Sequence, residues 1–130
     1  MRIAIAILLG LAIGVIGTAM TLNALRQASA FPRGVMAVMQ HHLGSLRQAT
    51  RDGRCDAGDS QRRLQSLRML AEDIAPAFPG IDDPVFRDYT ASLIRQIDGS
   101  LAAVPDDCSA LEAVVSDIGS RCSACHRDYR

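Results

Sequence analysis

Apolar residues recur at intervals of three and four in four successive stretches of this chain. They are Met36, Met39, Leu43 and Leu46; then Leu64, Leu67, Ala71, Ile74 and Phe78; then Phe86, Tyr89 or Thr90, Leu93, Ile97, Leu101 and Val104; and last Leu111, Val115, Ile118, Cys122 and Cys125. That alternation lays one apolar seam along each of four amphipathic helices and does not fit the two-residue period of a strand. Composition agrees. Aromatic residues are 4% of the 130 and Trp is absent, so Leu, Ile, Val, Ala and Met must fill the core, a mixture that favours helix over sheet.

The breaks fall where helix chemistry puts them. Asp52, Gly53 and Arg54, followed by Ala57 and Gly58, close the first helix, and Asp59 or Ser60 can cap the second. Pro79 and Gly80 end the second; Asp83 caps the third, with Pro84 in its first turn. Pro105 closes the third, and Ser109 with Glu112 forms a capping box for the fourth. Short loops between long helices make neighbours antiparallel, which predicts an all-α, up-down-up-down four-helix bundle. The start of the first helix, with Met36 and Met39, then shares one end of the bundle with Cys122, Cys125 and His126. Cys55 and Cys108, in the first and third loops, share the other end.

Ahead of the bundle, residues 3–22 (IAIAILLGLAIGVIGTAMTL) carry no charge. Twenty apolar residues are enough to cross a bilayer and exceed a usual signal-peptide core. Arg2 before them suits an amino end in the cytoplasm and a domain outside. The expected organisation is a membrane anchor or signal segment over residues 1–30 and a helical domain over 31–130. Ala28, Ser29 and Ala30 have the small-x-small pattern of a cleavage site, so a soluble exported domain is the alternative to an anchored one. Fourteen arginines balance fourteen acids, with no lysine. A neutral total offers no electrostatic case for nucleic acid as a partner.

Cys122-Ser-Ala-Cys125-His126 has the spacing of a c-type haem attachment motif. Two thiols three residues apart on a helix can add to the two vinyl groups on one porphyrin edge, and the following imidazole can reach the iron. Both cysteines continue the apolar seam, so the haem enters the bundle interior. A thioredoxin-like pair would sit at a strand-to-helix turn, and none is expected here. A zinc site needs two further ligands; His41 and His42 lie more than a turn into the first helix, and Cys55 and Cys108 at the far end. In an oxidising compartment Cys55 and Cys108 are expected to pair, closing a loop of about fifty residues for ~4 kcal/mol in the chain-entropy model. Two free thiols are the other reading.

CSACHRDYR at the end of an exported four-helix chain resembles the cytochrome c-prime family, the class II c-type cytochromes, over residues 31–130. The resemblance implies one covalent haem c at Cys122 and Cys125, with His126 as proximal iron ligand. It also implies a proximal-side role for Arg130, whose bland reading is a solvated terminal charge. PRGVMAVMQHHLG aligns so that Met36 falls at the distal position, and the topology independently puts Met36 at the same end of the bundle as the motif. Departures are a shorter stretch between helices two and three and the membrane segment. Homodimers through helix one or two are common in the family.

A thioether opposite histidine makes a six-coordinate electron carrier of raised potential. The expected function is therefore an electron-transfer protein, not an enzyme, on the periplasmic face of the bacterial inner membrane, serving an unnamed redox partner protein. The sequence shows no strongly charged face for that partner. The alternative is a five-coordinate haem protein binding NO or CO, with Met36 as core filler.

Overall fold

The computed structural model describes residues 2–129, and the side chains of all of these except 2, 4, 6, 27 and 28. It is helical throughout, with α1 at Arg2–Ala28, α2 at Ala30–Arg51, α3 at Ala57–Glu72, α4 at Ile74–Ala77, α5 at Pro84–Ala102 and α6 at Cys108–Asp128. The chain parts into two compact units, Met1–Arg33 and Gly34–Arg130.

In the first unit every large apolar side chain described on α1 is exposed, including Leu8, Leu11, Ile13, Val15, Ile16 and Leu22. Its hydroxyls are turned inward onto its own backbone: Thr18 and Thr21 donate to the carbonyls of Gly14 and Gly17 at 2.8 and 2.9 Å. Those bonds let polar residues sit in an apolar helix without leaving a donor unmet. By length and composition this segment can cross a membrane, a test that a signal sequence also passes.

The second unit is an up-down-up-down four-helix bundle of α2, α3, α5 and α6. Its core is Val35, Met39, Leu43 and Leu46 from α2, Leu64, Leu67 and Ala71 from α3, Phe86, Leu93 and Ile97 from α5, and Leu111, Val115 and Ile118 from α6. All four seams therefore face inward. Leu46, Leu64, Leu67, Ile97, Leu111 and Ile118 have almost no remaining exposure. The backbones of α3 and α5, and of α5 and α6, run close together, whereas α2 stands farther from its neighbours.

The helix ends correct three expectations. The cap of α3 is Asp56, which accepts from the Asp59 amide at 2.8 Å; Ser60 is buried instead. Asp107, not Ser109 with Glu112, caps α6, accepting from Ala110 N at 2.8 Å. Both aspartates lie one turn before the donors they serve, in extended backbone, which a short carboxylate needs to reach forward. The second seam is not one helix: α3 stops at Glu72 and α4 resumes for a single turn. Pro76 explains the break, because it has no amide to offer the Glu72 carbonyl and its ring crowds that oxygen. Ile74 and Ala77 still reach the core from α4.

Other ends are as expected. Asp83 accepts from Val85 N at 2.9 Å with Pro84 at the first helical position. At the end of α2, Gly53 has φ +67°. Arg54 N then bonds the Ala49 carbonyl at 2.9 Å and Gly53 N bonds that of Thr50 at 3.2 Å, the Schellman pattern that a left-handed glycine permits.

Two sets of contacts fix the topology. The Cys55 and Cys108 sulfurs are at bonding distance, 1.93 Å, with Cα atoms 5.2 Å apart, so the α2–α3 and α5–α6 connections share one end. At the other end, the Tyr129 hydroxyl donates to Asp83 and the Tyr89 hydroxyl to Asp128 at 2.6 Å, joining the end of α6 to the start of α5.

Candidate haem site

The last two turns of α6 carry the motif. Cys122 and Cys125 are both free, both half-buried, and packed against the core cluster. They lie three residues apart on a helix, so they share a face. The same cluster is lined by Met36 from α2, half-buried where Val35 and Met39 on either side are buried, and by Tyr129. Tyr129 is wedged edge-on between Phe86, at a ring-centroid distance of 5.2 Å, and Tyr89, at 6.2 Å. His126 follows Cys125 and is exposed on α6. Cys122, Cys125 and Met36 are thus gathered on one core while His126 stands at its rim. Arg130 lies outside the described residues.

Burial pushes both thiols above their ordinary range; for Cys122 the nearby Arg47 charge opposes the rise, and for Cys125 the charges of Cys122 and Asp128 add to it. A dithiol built for redox exchange shows the reverse, a thiolate stabilised by a helix N-terminus or an adjacent cation. Here the pair sits near a helix C-terminus among apolar groups. Among the described residues no group of three or more His, Cys, Asp or Glu side chains is placed to hold a metal ion. His41 and His42 make an edge-on pair 5.4 Å apart on α2. The His42 Nδ1 is enclosed without a hydrogen-bond partner, and burial, then the charges of His41 and Arg63, lowers its pKa.

These residues suit a c-type haem. Two neutral thiols face an apolar interior, the imidazole follows directly, and a soft thioether lies on the same cluster. The stand-off of α2 leaves this side of the bundle less tightly closed than the rest.

Sequence reasoning missed the polar face beside the motif. A cleft of about 570 Å³ runs between α2 and α6, lined by Arg47, Thr50 and Arg51 on one side and by Ser116, Ser120, Ser123 and Arg127 on the other. The Arg47 guanidinium lies over the Cα of Gly119, a buried glycine three residues before Cys122. The signal was present in the α6 sequence, where Glu112, Ser116, Ser120, Ser123 and Arg127 recur every three or four residues opposite the apolar seam.

No protein-family model and no curated protein matches the chain. Among solved structures, cytochrome c′ from Rubrivivax gelatinosus superimposes with a TM-score of 0.64 at 20% identity, covering 77% of this chain and 91% of that one. The chain therefore has the cytochrome c′ fold.

Proposed function

We propose that this chain is an exported c-type haem protein that carries electrons. Cys122 and Cys125 would hold one haem c covalently, and His126 and Met36 would supply its iron ligands. The observation that carries the reading is the pair of free, core-facing thiols followed by histidine, on the last helix of a cytochrome c′ fold. The haem supplies one-electron exchange between ferric and ferrous iron. The chain's own contribution is environment. Leu, Ile, Val and Phe side chains exclude water, the thioethers fix the group in one orientation, and a methionine sulfur, softer than water, favours the reduced state.

The reading includes no catalytic role. It places the domain on the periplasmic side of the inner membrane, held by α1, where a redox partner protein supplies or takes the electron. A soluble form released at Ala28-Ser29-Ala30 is the variant that amino-terminal sequencing of the mature protein distinguishes.

Optical spectra of the haem-loaded protein, ferric and ferrous, before and after carbon monoxide, test the ligand assignment beside Met36→Ala. The expected result is a low-spin spectrum with a thioether-to-iron band that the substitution removes. A high-spin spectrum unchanged by Met36→Ala, with ready carbon monoxide binding, overturns Met36 ligation and makes the protein a binder of NO or CO.

A further inference from the structure

Charge is spread unevenly over this net-neutral chain. Arg54, Arg62, Arg68 and Arg87 are each ion-paired with an aspartate or glutamate. The cleft between α2 and α6 gathers three arginines that are not: among the described residues Arg47, Arg51 and Arg127 have no carboxylate partner, and Arg51 is steadied only by Gln48, at 2.6 Å. Hydroxyls of Thr50, Ser116, Ser120 and Ser123 add further donors, and Glu112 is the one acidic residue in the lining. The wall on the α6 side includes Ser123, which stands between the two motif cysteines, and Arg127, which follows His126. The cleft is therefore the outer face of the same two turns whose inner face carries Cys122 and Cys125.

We propose that this cleft is the docking site for a carboxylate-bearing protrusion on the surface of the redox partner. Guanidinium forks match carboxylates in geometry as well as charge, and a concave basic lining focuses the field that steers an acidic partner toward the motif. Complementary charge of this kind acts chiefly on the rate of encounter. The inference rests on the electron-carrier reading above.

The test is stopped-flow oxidation of the ferrous holoprotein by two small probes, the anion hexacyanoferrate(III) and the cation tris(phenanthroline)cobalt(III), across a range of ionic strength. With the anion the rate is expected to fall roughly tenfold between about 0.01 M and about 0.3 M salt, although the polypeptide has no net positive charge, because screening removes the local field. With the cation it is expected to rise. The pair Arg47→Glu with Arg127→Glu reverses both trends, Arg47→Gln with Arg127→Gln flattens them, and Arg62→Glu on α3 leaves them as they were. Equal salt slopes in wild type and in both cleft variants overturn the proposal. So does saturable inhibition by micromolar inorganic phosphate at constant ionic strength, which marks a small-anion site instead. A protein without haem, or one that exchanges electrons with neither probe, fails the carrier reading itself, an outcome visible in the spectrum before any salt is varied.

Discussion

The two sides of the bundle are built on different terms. On one side α3, α5 and α6 run close together, and polar links across the seams reinforce them. Arg68 on α3 bonds Asp98 on α5 at 2.5 Å, Arg121 on α6 bonds Ser92 on α5 at 3.1 Å, and Tyr129 and Tyr89 tie the end of α6 to α5 and its cap. On the other side the α2 backbone stands off; its apolar seam still reaches the shared core, and the Arg47 guanidinium rests over Gly119 of α6. A bundle of this size is marginal if any pair of helices is loosened without compensation. The difference therefore separates a side that holds the fold from a side less tightly closed, where the proposed haem would have room.

Substitutions probe that division. In the haem-free chain, Leu67→Ala on α3 is expected to cost at the upper end of about 2–5 kcal/mol, because the close-set neighbours cannot collapse into the hole, and Met39→Ala on α2 at the lower end. Denaturant unfolding of the two variants measures this; equal losses would erase the distinction. Haem loading should then raise the cost of Met39→Ala toward that of Leu67→Ala.

The Cys55–Cys108 pair sharpens the same contrast at the loops, since its sulfurs meet between the connection leaving α2 and the one entering α6. Its sequence separation is 53 residues. Cys55→Ala with Cys108→Ala is expected to lower unfolding stability by ~4 kcal/mol on the loop-entropy account. No loss on either substitution or mild reduction would mean that the loops are held by packing alone.

The smallest effect concerns the Tyr129–Asp83 bond. The hydrogen bond to Asp83 pushes the Tyr129 hydroxyl up to about 12, and the same bond, with the Val85 amide, lowers the Asp83 carboxyl. A raised phenol contributes stability that is complete below its unfolded value near 10 and is lost as pH rises toward about 12. A depressed carboxyl contributes stability present above its unfolded value and lost as pH falls through its folded one. Melting temperature against pH should show both declines in the wild type and neither as steeply in Tyr129→Phe. Unchanged slopes would remove this bond from the account of the tight side.

Most of that tight side was legible as sequence, because an apolar seam specifies which face is buried without reference to partners. Leu64, Leu67, Phe86, Leu93, Ile97, Leu111, Val115 and Ile118 were all expected in the core and all lie there. The misreadings are of two kinds. Caps were displaced by a few residues, since several Asp and Ser residues compete at each helix start and only backbone geometry chooses among them. Pro76 was passed over because the seam ran through it, although a missing amide outweighs periodicity. On the site, the motif cysteines were legible by spacing alone. The arginine-lined cleft was not, because Arg47 and Arg127 are eighty residues apart and only the antiparallel pairing of α2 with α6 brings them together.

Helix α6 also governs which cysteines of the chain can meet. It begins at Cys108 and carries Cys122 and Cys125 near its other end. Fourteen residues of α-helix hold Cys108 and Cys122 ~21 Å apart, several times the reach of a disulfide. Once this one element has formed, an oxidant cannot cross-link Cys108 to Cys122 or Cys125 of the same chain. The helix works as a spacer that keeps the loop thiol and the two motif thiols of one chain from meeting.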